Sequence, residues 1–324
     1  MDFPELERPI VGAGLGGGLS RARLTVAIAE AGGLGQLGIM PPEALSAQLA
    51  AHRERSARPV AVNLLLPFTR EAHWAVAREA DLVVTFWGPP RRHTDGPWVH
   101  QCGSVAEAKA AADAGADAVI AQGVEAGGHV RGTTPALELL ERTRAALRPG
   151  FRIWLAGGVA DRTDVETALA AGADAVVVGT RLLLSDESHA HPEYKRRLLA
   201  ARNTVLTELF GAGWPAPHRV VPNAATRRWL RGDERGPRWV RALHRATAPA
   251  LSRAPVAAVQ RAARAQRPGM PLLGPAAATT GDPESLVDAG PLYAGECVAR
   301  IETLRPAAEI VRALSTAAPG PGPA

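Results

Sequence analysis

His129 is the residue in this sequence whose type and neighbours best suit proton transfer. It lies in QGVEAGGHVRG, residues 122–132, directly after an apolar run that is typical of a buried strand. Imidazole titrates closer to neutral pH than any other unperturbed side chain, and it often acts as a general base. Because Gly127 and Gly128 allow a ligand to approach the backbone closely, we predict a catalytic histidine here rather than a surface-loop histidine.

Three polar residues in or near this segment are candidates for contacts to a ligand. Asn63 interrupts the apolar run VAVNLLL, and it is either a satisfied core amide or a cofactor contact. Gln122 ends the apolar run that precedes the glycines. Arg131 follows His129 by two residues and is, on position alone, a candidate for stabilising an anionic substrate.

Two glycine-containing turns have the character of a phosphate site. AGGV at 156–159 and GTR at 179–181 each lead from an apolar run toward a helix, whose free backbone N–H groups can bind an anion. Glycine after a strand is also common in plain tight turns. Two such turns in consecutive units favour the phosphate interpretation.

Alternating apolar and alanine-rich runs must position these residues. Short β-branched runs that alternate with amphipathic runs are typical of βα units in a parallel sheet. Eight such strands predict an α/β fold, a (β/α)8 TIM barrel, in which functional loops follow the carboxyl ends of the strands. The predicted strands are at 9–13, 34–39, 60–66, 82–87, 97–102, 117–122, 152–156 and 174–179.

An internal repeat supports the barrel. AADAGADAVIAQG at 111–123 and ALAAGADAVVVGT at 168–180 align with an offset of 57 residues. In each copy an alanine-rich helix is predicted to end at a glycine, Gly115 or Gly172, that suits the left-handed position after a helix. The helices between strands are predicted to start near Ser20, Pro42, Thr69, Ser104, Thr134, Asp161 and Glu187.

The fourth connection is too short for a helix. Nine residues, GPPRRHTDG, separate the strand that ends at Trp87 from the next strand, whereas a parallel crossover usually needs a dozen or more. The fourth barrel helix is therefore predicted to be missing, and the face that it would cover is a candidate surface for a homodimer.

The chain is predicted to change character at about residue 200. Residues 1–200 are expected to form the ligand-binding barrel, and residues 201–317 a helical lid with a C-terminal helix. The proline-rich end at 318–324 is expected to be disordered. Further helices are predicted at 190–210, 223–230, 235–247 and 304–316.

Composition narrows the class of protein. The 324 residues carry 37 Lys+Arg against 32 Asp+Glu, a net charge of +5, and the basic stretch from Arg227 to Arg245 is typical of a solvated helix face. Cys102 and Cys297 match neither a CxxC motif nor a disulfide framework, and no uncharged apolar run of about 18 residues occurs. We therefore expect a reduced, cytoplasmic protein that binds neither nucleic acid nor membrane.

Two weaker motifs favour no separate site. GAGLGG, residues 12–17, satisfies GxGxxG, but its acidic partner would be Glu30, which falls inside the first predicted helix instead of after a second strand. His189 and His191 have a spacing that can bind a metal ion, yet the sequence supplies no third ligand, so no metal is predicted.

Several of these segments together resemble the nitronate monooxygenase family, formerly grouped as 2-nitropropane dioxygenases. The resemblance rests on QGVEAGGH, AGGVADR, GADAVVVGTRLLLSDESHAHPEYK and PIVGAGLGGGLS, and it covers about residues 8–230. A weaker match continues in LYAGECVARIETLRPAAEIV. The resemblance implies a bound FMN, oxidation of a nitroalkane or alkyl nitronate with O2, and His129 as the base.

The same resemblance implies which residues hold the cofactor. The FMN phosphate would lie on backbone around AGGV and GT, and the flavin on amides and glycines of the preceding strands. The implied and candidate cofactor residues are Asn63, Gln122, Gly127, Gly128, Gly157, Gly158, Val177, Val178, Gly179 and Thr180. This chain departs from the family where Gly14-Leu15 replaces the usual Pro-Met, which is expected to loosen the backbone beside the flavin, and where Glu296 replaces a common glutamine.

Other functions on the same scaffold stay open. Flavin-dependent enoyl-acyl-carrier-protein reductases carry similar EAGGH and AHPEYK segments, which implies NAD(P)H as co-substrate and an enoyl thioester as substrate. An NAD(P)H:quinone reductase is a further alternative. A non-catalytic FMN-binding barrel is the third, and the presence of His129 argues against it.

Overall fold

Eight parallel strands close into a barrel in the computed structural model, which describes residues 2–251, 254 and 256–315. The described residues form eleven strands, of which eight build the barrel and β7, β10 and β11 build a separate antiparallel sheet. They are β1 (Ile10–Gly12), β2 (Gly35–Leu37), β3 (Val60–Leu65), β4 (Leu82–Phe86), β5 (Trp98–Cys102), β6 (Ala118–Gln122), β7 (Gly128–His129), β8 (Arg152–Ala156), β9 (Ala175–Val178), β10 (Val205–Thr207) and β11 (His218–Val220). The barrel order is β1-β9-β8-β6-β5-β4-β3-β2, and a parallel bridge between Val11 and Leu34 joins the two ends. All eight predicted barrel strands are confirmed.

Apolar side chains at alternate strand positions fill the barrel interior. The inward residues are Val11, Leu34, Ala61, Leu82, Val84, Val99, Ala118, Ile120, Trp154, Ala156, Ala175 and Val177. Their neighbours along the strands, such as Val176 and Val178, belong instead to the core between the sheet and the outer helices. Because packed side chains fill the interior, a ligand site is restricted to the carboxyl ends of the strands.

Helices surround the barrel and extend beyond it. They are α1 (Ala22–Glu30), α2 (Pro42–Arg53), α3 (Glu71–Ala77), α4 (Val105–Asp113), α5 (Ala136–Ala146), α6 (Arg162–Ala170), α7 (Thr180–Leu183), α8 (Pro192–Leu199), α9 (Ala224–Trp229), α10 (Arg238–Leu251), α11 (Val256–Arg264), α12 (Ser285–Ala289) and α13 (Ala307–Leu314), with 3-10 turns at Leu66–Phe68 and Glu296–Arg300. The C-terminal helix α13 packs on α1 and α6, so it closes the outer ring.

Side-chain caps start two of the repeated helices as predicted. Ser104 Oγ accepts a hydrogen bond from the backbone N–H of Glu107, and the Asp161 carboxylate accepts one from Asp164. The glycines that end α4 and α6, Gly115 and Gly172, have φ values of 86° and 98°, which confirms their left-handed conformation.

Other predicted helix starts differ from the structure by small amounts, with one exception. The helices expected at Ser20, Thr69 and Thr134 each begin two residues later. The helix expected at Glu187 begins only at Pro192, because proline fits the first turn of a helix and His191 provides the N-cap. No helix lies between β4 and β5, which confirms the shortened fourth crossover.

The prediction of one helix over 190–210 is wrong. Helix α8 ends at Leu199, and Val205–Thr207 form β10, which pairs antiparallel with β11. Strand β11 pairs in turn with β7, so the region after residue 200 is not purely helical. Cross-strand hydrogen bonds and the β-branched Val205 and Thr207 favour the extended conformation. The helices predicted at 223–230, 235–247 and 304–316 correspond to α9, α10 and α13, whereas the expected disorder at 318–324 lies outside the described residues.

The structure bears on two predictions from the composition, those for the cysteines and for membrane-spanning segments. Cys102 and Cys297 are both free and buried. In the described part of the chain, no helix combines the length and the apolar character needed to cross a membrane.

A buried histidine links β4 to β5 on the helix-facing side of the sheet. The Thr85 hydroxyl lies 2.7 Å from His100 Nδ1 and accepts a hydrogen bond from Trp98 Nε1 at 2.8 Å. With the Thr85 proton directed to Nδ1, the imidazole is neutral. Burial lowers the pKa of His100 to about 4.

The free energy of unfolding is expected to fall as the pH is lowered from 6.5 to about 4. In this interval the unfolded chain protonates His100 while the folded protein does not, so acid favours unfolding by up to about 3 kcal/mol from this residue. Urea denaturation across that range should give a shallower pH dependence for His100→Asn than for the wild type. Equal slopes for the two proteins would contradict this account.

Candidate active site at the carboxyl ends of the strands

A cavity of about 1330 Å³ opens at the carboxyl ends of the barrel strands. Its floor comes from strand ends and their loops, and its outer wall comes from the segment that contains α11 and residues 266–277. Of the predicted site residues, the cavity is lined by Asn63, Gln122, Gly127, Gly128, His129, Gly157, Gly158, Val177, Gly179 and Thr180. The fold therefore brings together residues that are far apart in sequence.

Four side-chain amides line the cavity from four different strands. Asn63 and Gln122 were predicted from the sequence, whereas Gln36 on β2 and Gln101 on β5 were missed. Period-two alternation could have found both, since Gln36 follows the inward Leu34 and Gln101 follows the inward Val99. Gln36 is 1% exposed, and its Nε2 has no hydrogen-bond partner among the described residues.

Gln122 supports the histidine segment directly. Its Nε2 donates to the backbone carbonyl of His129 at 3.0 Å, and its Oε1 accepts the backbone N–H of Arg131 at 3.3 Å. Both ends of this amide are therefore used to hold the loop that carries His129.

Backbone conformation explains most of the glycines. Gly128, Gly157 and Gly158 have φ values of 74°, 118° and 78°, which favour glycine. Gly127 packs directly against the backbone of residues 294–295, where a Cβ atom would overlap Gly295 N. Gly14 lies so close to Asn63 that a Cβ would overlap the Asn63 side chain, so the glycine permits tight packing at the place where looser backbone was expected.

In the segment at the end of β9, one predicted cofactor residue, Val178, does not line the cavity. Gly179 caps α7, and the Thr180 hydroxyl accepts the backbone N–H of Gly295 at 2.9 Å. Val177 points into the barrel, but Val178 points outward into the core beneath the helices and does not line the cavity. Strand alternation requires this difference, so only the backbone of Val178 can contribute to a ligand site.

Aromatic rings enclose the His129 imidazole. Trp214 stacks on it with ring centroids 3.7 Å apart and an interplanar angle of 24°. His218, Tyr293 and Trp87 lie 5.2, 5.5 and 6.4 Å away, centroid to centroid. Removal of the ring from water, and secondly the neighbouring His218, hold the pKa of His129 well below its usual value. Its buried Nε2 has no hydrogen-bond partner within the described residues.

His218 adopts a defined tautomer beside this ring. Its Nε2 accepts the backbone N–H of Phe210 at 3.2 Å, so Nδ1 carries the proton and donates to the carbonyl of Ala216 at 2.9 Å. Burial lowers the pKa of His218 to about 4. Both histidines are therefore neutral near physiological pH, which leaves His129 able to accept a proton.

Arg131 does not occupy the position predicted for it. Its Nε lies 2.5 Å from a Glu107 carboxylate oxygen, and its guanidinium lies over the Trp87 ring at 5.1 Å. Arg131 does not line the cavity. The described charged residues that do, Glu43 and Arg70, are both exposed, so the interior offers no fixed cation to an anionic substrate.

Sequence reasoning also missed Arg219, which braces the histidine segment. This residue of β11 is 7% exposed, and its Nη2 donates to the Val124 carbonyl at 2.8 Å. Its Nη1 pairs with Glu296 at 2.9 Å. Glu296 therefore has an ionic partner, which gives its replacement of the usual glutamine a physical reason. The pairing depends on segments distant in sequence, and no local pattern indicated it.

His191, one of the two histidines near α8, has another role. His191 Nδ1 accepts the backbone N–H of Glu193 at 3.1 Å and caps the helix. Within the described ranges, no group of three or more His, Cys, Asp or Glu side chains is arranged to hold a metal ion.

Comparison with protein families gives one match over nearly the whole chain. A family model described as nitronate monooxygenase matches residues 2–87 and 92–316. A Mycobacterium tuberculosis protein named (3aS,4S,5R,7aS)-5-hydroxy-7a-methyl-1-oxo-octahydro-1H-indene-4-carboxyl-CoA dehydrogenase is 31% identical, over 67% of this chain and 63% of that protein. A probable nitronate monooxygenase of Bacillus subtilis is 28% identical, over 63% of this chain and 74% of its own length. The chain thus matches slightly less than two thirds of the first of these relatives.

Solved structures with the same fold cover almost the entire chain. FabK from Thermotoga maritima superimposes with a TM-score of 0.75 and 26% identity, over 96% of this chain and 93% of that one. A nitroalkane oxidase from Streptomyces ansochromogenes gives a TM-score of 0.74 and 26% identity, over 95% of each chain.

His129 is expected to remain neutral through pH 6.5 because its ring is shielded from water. Histidine ring resonances, assigned by comparison with His129→Asn, should show no titration of this residue near that pH. Trp214→Ala exposes the ring, so the pKa of His129 should rise toward 6.5. Trp229→Ala removes an indole that packs on Trp239 and should leave the His129 titration unchanged. A wild-type midpoint near 6.5 would refute the shielding.

Proposed function

Because the chain belongs to the nitronate monooxygenase family, we propose that it binds FMN in the barrel cavity and oxidises a nitroalkane or its nitronate with O2. One observation carries the proposal. His129 lines the cavity with a neutral imidazole whose Nε2 has no partner among the described residues, and the same cavity is bordered by the glycine turns after β8 and β9. A free base and an anion-binding rim are the two parts that this chemistry needs.

The lining of the cavity fits FMN. Backbone N–H groups at Gly158, Gly179 and Thr180 would hold the phosphate, together with the backbone of Val177 and Val178. The side-chain amides of Asn63 and Gln101 would hydrogen-bond the polar edge of the isoalloxazine, and Gly128, whose Cβ position is open, would allow it to approach the backbone beside Gly127. When bound there, FMN would accept electrons from the substrate carbon and pass them to O2.

The base would act by removing a proton from the carbon that bears the nitro group. Because Nε2 is buried in a ring that Trp214 covers, the proposed transfer requires Trp214 to move aside; proton transfer then converts neutral imidazole and neutral nitroalkane into an imidazolium and a nitronate. Separate charges would be costly in this apolar cavity, but the two are formed side by side and attract each other. This pairing supplies the cation that Arg131 does not, because Arg131 is held by Glu107 outside the cavity.

Thioester oxidoreduction is a second candidate. It takes support from the relative named as a carboxyl-CoA dehydrogenase and from a cavity larger than a short nitroalkane requires. NAD(P)H would then be a co-substrate, and an enoyl thioester or a quinone the acceptor. Anaerobic mixing separates the candidates: bleaching of the flavin band by propyl nitronate alone supports the oxidation, bleaching by NADPH alone supports the reductase, and bleaching by neither supports a non-catalytic barrel.

Gly158→Ala is expected to weaken FMN binding about tenfold. Alanine is strained at the φ of 78° found here, and the turn would lose the conformation that directs its N–H groups. Gly150→Ala is the matched control, since Gly150 has a φ of 73° in an exposed turn that does not line the cavity. Titration of the apoprotein with FMN, followed by flavin fluorescence, measures both. Equal affinities for the two variants would argue against this phosphate site.

His129→Asn is expected to distinguish a base from a structural residue. With neutral nitropropane the rate of flavin reduction should fall about a hundredfold or more, because the proton must be removed first. With preformed propyl nitronate the loss should be much smaller, because that proton is already gone. Stopped-flow absorbance under anaerobic conditions measures both rates, and the flavin spectrum at rest checks cofactor binding. Equal losses with the two substrates would refute the role as base.

A further inference from the structure

The positive charge of the chain is concentrated outside the barrel. Residues 227–245 hold seven arginines and two carboxylates, so this stretch carries as much net positive charge, +5, as the whole chain of 324 residues. The rest of the sequence is balanced between acids and bases. Exposed arginines on α9, on the loop that follows it, at the start of α10 and in the turn after α11 carry this charge into solvent.

Two tryptophans hold these segments together. The Trp229 ring at the end of α9 lies 5.6 Å from the Trp239 ring at the start of α10, centroid to centroid. Trp229 Nε1 donates to the Pro268 carbonyl at 2.8 Å, which brings the turn at 267–270 beside the ring pair. The guanidinium of Arg228 lies 5.7 Å from the centre of the Trp229 ring. The Trp239 face is the name used here for the exposed surface of Arg228, Arg231, Arg238, Trp239, Arg267 and Met270.

The arginines of the Trp239 face lack acidic partners within the described part of the chain. None of its four guanidinium groups has a carboxylate at ion-pair distance there, whereas three neighbouring arginines share Glu208. Asp233 is engaged by Arg241, which leaves the exposed Glu234 as the remaining acid of the stretch. Like charges gathered without counter-ions repel one another, so an anionic partner would stabilise this face.

Large apolar side chains are exposed among these charges. Trp239 is 56% exposed and Met270 is 43% exposed. Leu272, two residues after Met270, is 38% exposed and also lines the barrel cavity, as does Leu251 at the end of α10. Apolar side chains thus lead from the Trp239 face to the cavity wall. Exposed apolar groups that are clustered in this way are typical of a surface that binds a partner.

We propose that the Trp239 face docks on an anionic lipid surface, with its arginines at the phosphate groups and Trp239 and Met270 in the interfacial layer. Tryptophan is enriched at membrane interfaces because its ring is apolar and its N–H is polar, and each arginine near an anionic leaflet adds to the binding. Nucleic acid fits less well, since it offers bases for stacking but no apolar layer for Met270.

From composition we expected no membrane partner, because a basic stretch is usually a solvated helix face. The fold changes this expectation. It leaves four arginines without an acidic partner among the described residues, and it places a tryptophan open to water beside them. Neither property can be read from a run of basic residues, since both depend on how α9, α10 and the turn at 267–270 pack together.

Vesicle binding tests the proposal. The protein as purified is sedimented with vesicles of phosphatidylcholine alone and with vesicles that contain equal parts of phosphatidylcholine and phosphatidylglycerol. We expect binding to the anionic vesicles only, and added salt should weaken it. Arg228→Gln/Arg238→Gln should lower the partition coefficient about twenty-fivefold, since each arginine contributes about fivefold. Tryptophan fluorescence then locates the contact, because Trp239 is the one exposed tryptophan of the seven, all of which lie in the described ranges. Its emission should shift to the blue on binding, and Trp239→Phe should lose this shift while it still sediments with the anionic vesicles.

Arg148→Gln/Arg152→Gln is the matched control. It removes two exposed arginines at the amino end of β8, where each guanidinium lies over a phenylalanine ring, and it should keep the partition coefficient within about twofold of the wild type. A wild type that does not bind the anionic vesicles, equal losses in the two double variants, or a blue shift that persists in Trp239→Phe would overturn the inference. Binding to duplex DNA or to polyglutamate in place of the vesicles would overturn it as well. None of these measurements depends on the proposed reaction.

Discussion

The pairing of β11 with β7 determines where His129 lies. A two-residue strand cannot hold its position alone, so the short β7 depends on the antiparallel partner that arrives from about ninety residues further along the chain. Arg219 strengthens the pairing through the Val124 carbonyl, and Gln122 holds the same loop from the barrel side. The rest of the site, including the stack of Trp214 on the imidazole, requires this brace.

The charge of the groups at and around the cavity depends on which ionisable side chains are buried and which are paired. Removal from water keeps His129 and His218 neutral, and Arg131 is neutralised by Glu107 outside the cavity. The interior therefore presents amides, backbone N–H groups and apolar surface, which would suit a flavin. At His129, charge would arise only as an ion pair formed during proton transfer, and an apolar surrounding tolerates a pair far better than a single ion.

Local sequence patterns were sufficient for the barrel and for part of the site. Alternation with period two and repeated caps depend on neighbours a few residues apart, so the eight strands and the glycines after α4 and α6 could be predicted. The same alternation could also have predicted that Gln36 and Gln101 line the cavity. The prediction failed at residues 190–210, where the local sequence allows either a helix or a strand. Pairing with a distant strand decided between the two.

The sequence by itself determined the repeating βα pattern, the glycines that permit close approach, and the histidine suited to act as a base, because these properties reside in residue types and short spacings. Only the tertiary structure decided which polar groups face the cavity. It turned Val178 outward, paired Arg131 with Glu107, bonded Arg219 to the Val124 carbonyl and stacked Trp214 on His129. These outcomes depend on contacts between distant segments, whose energies no local pattern contains.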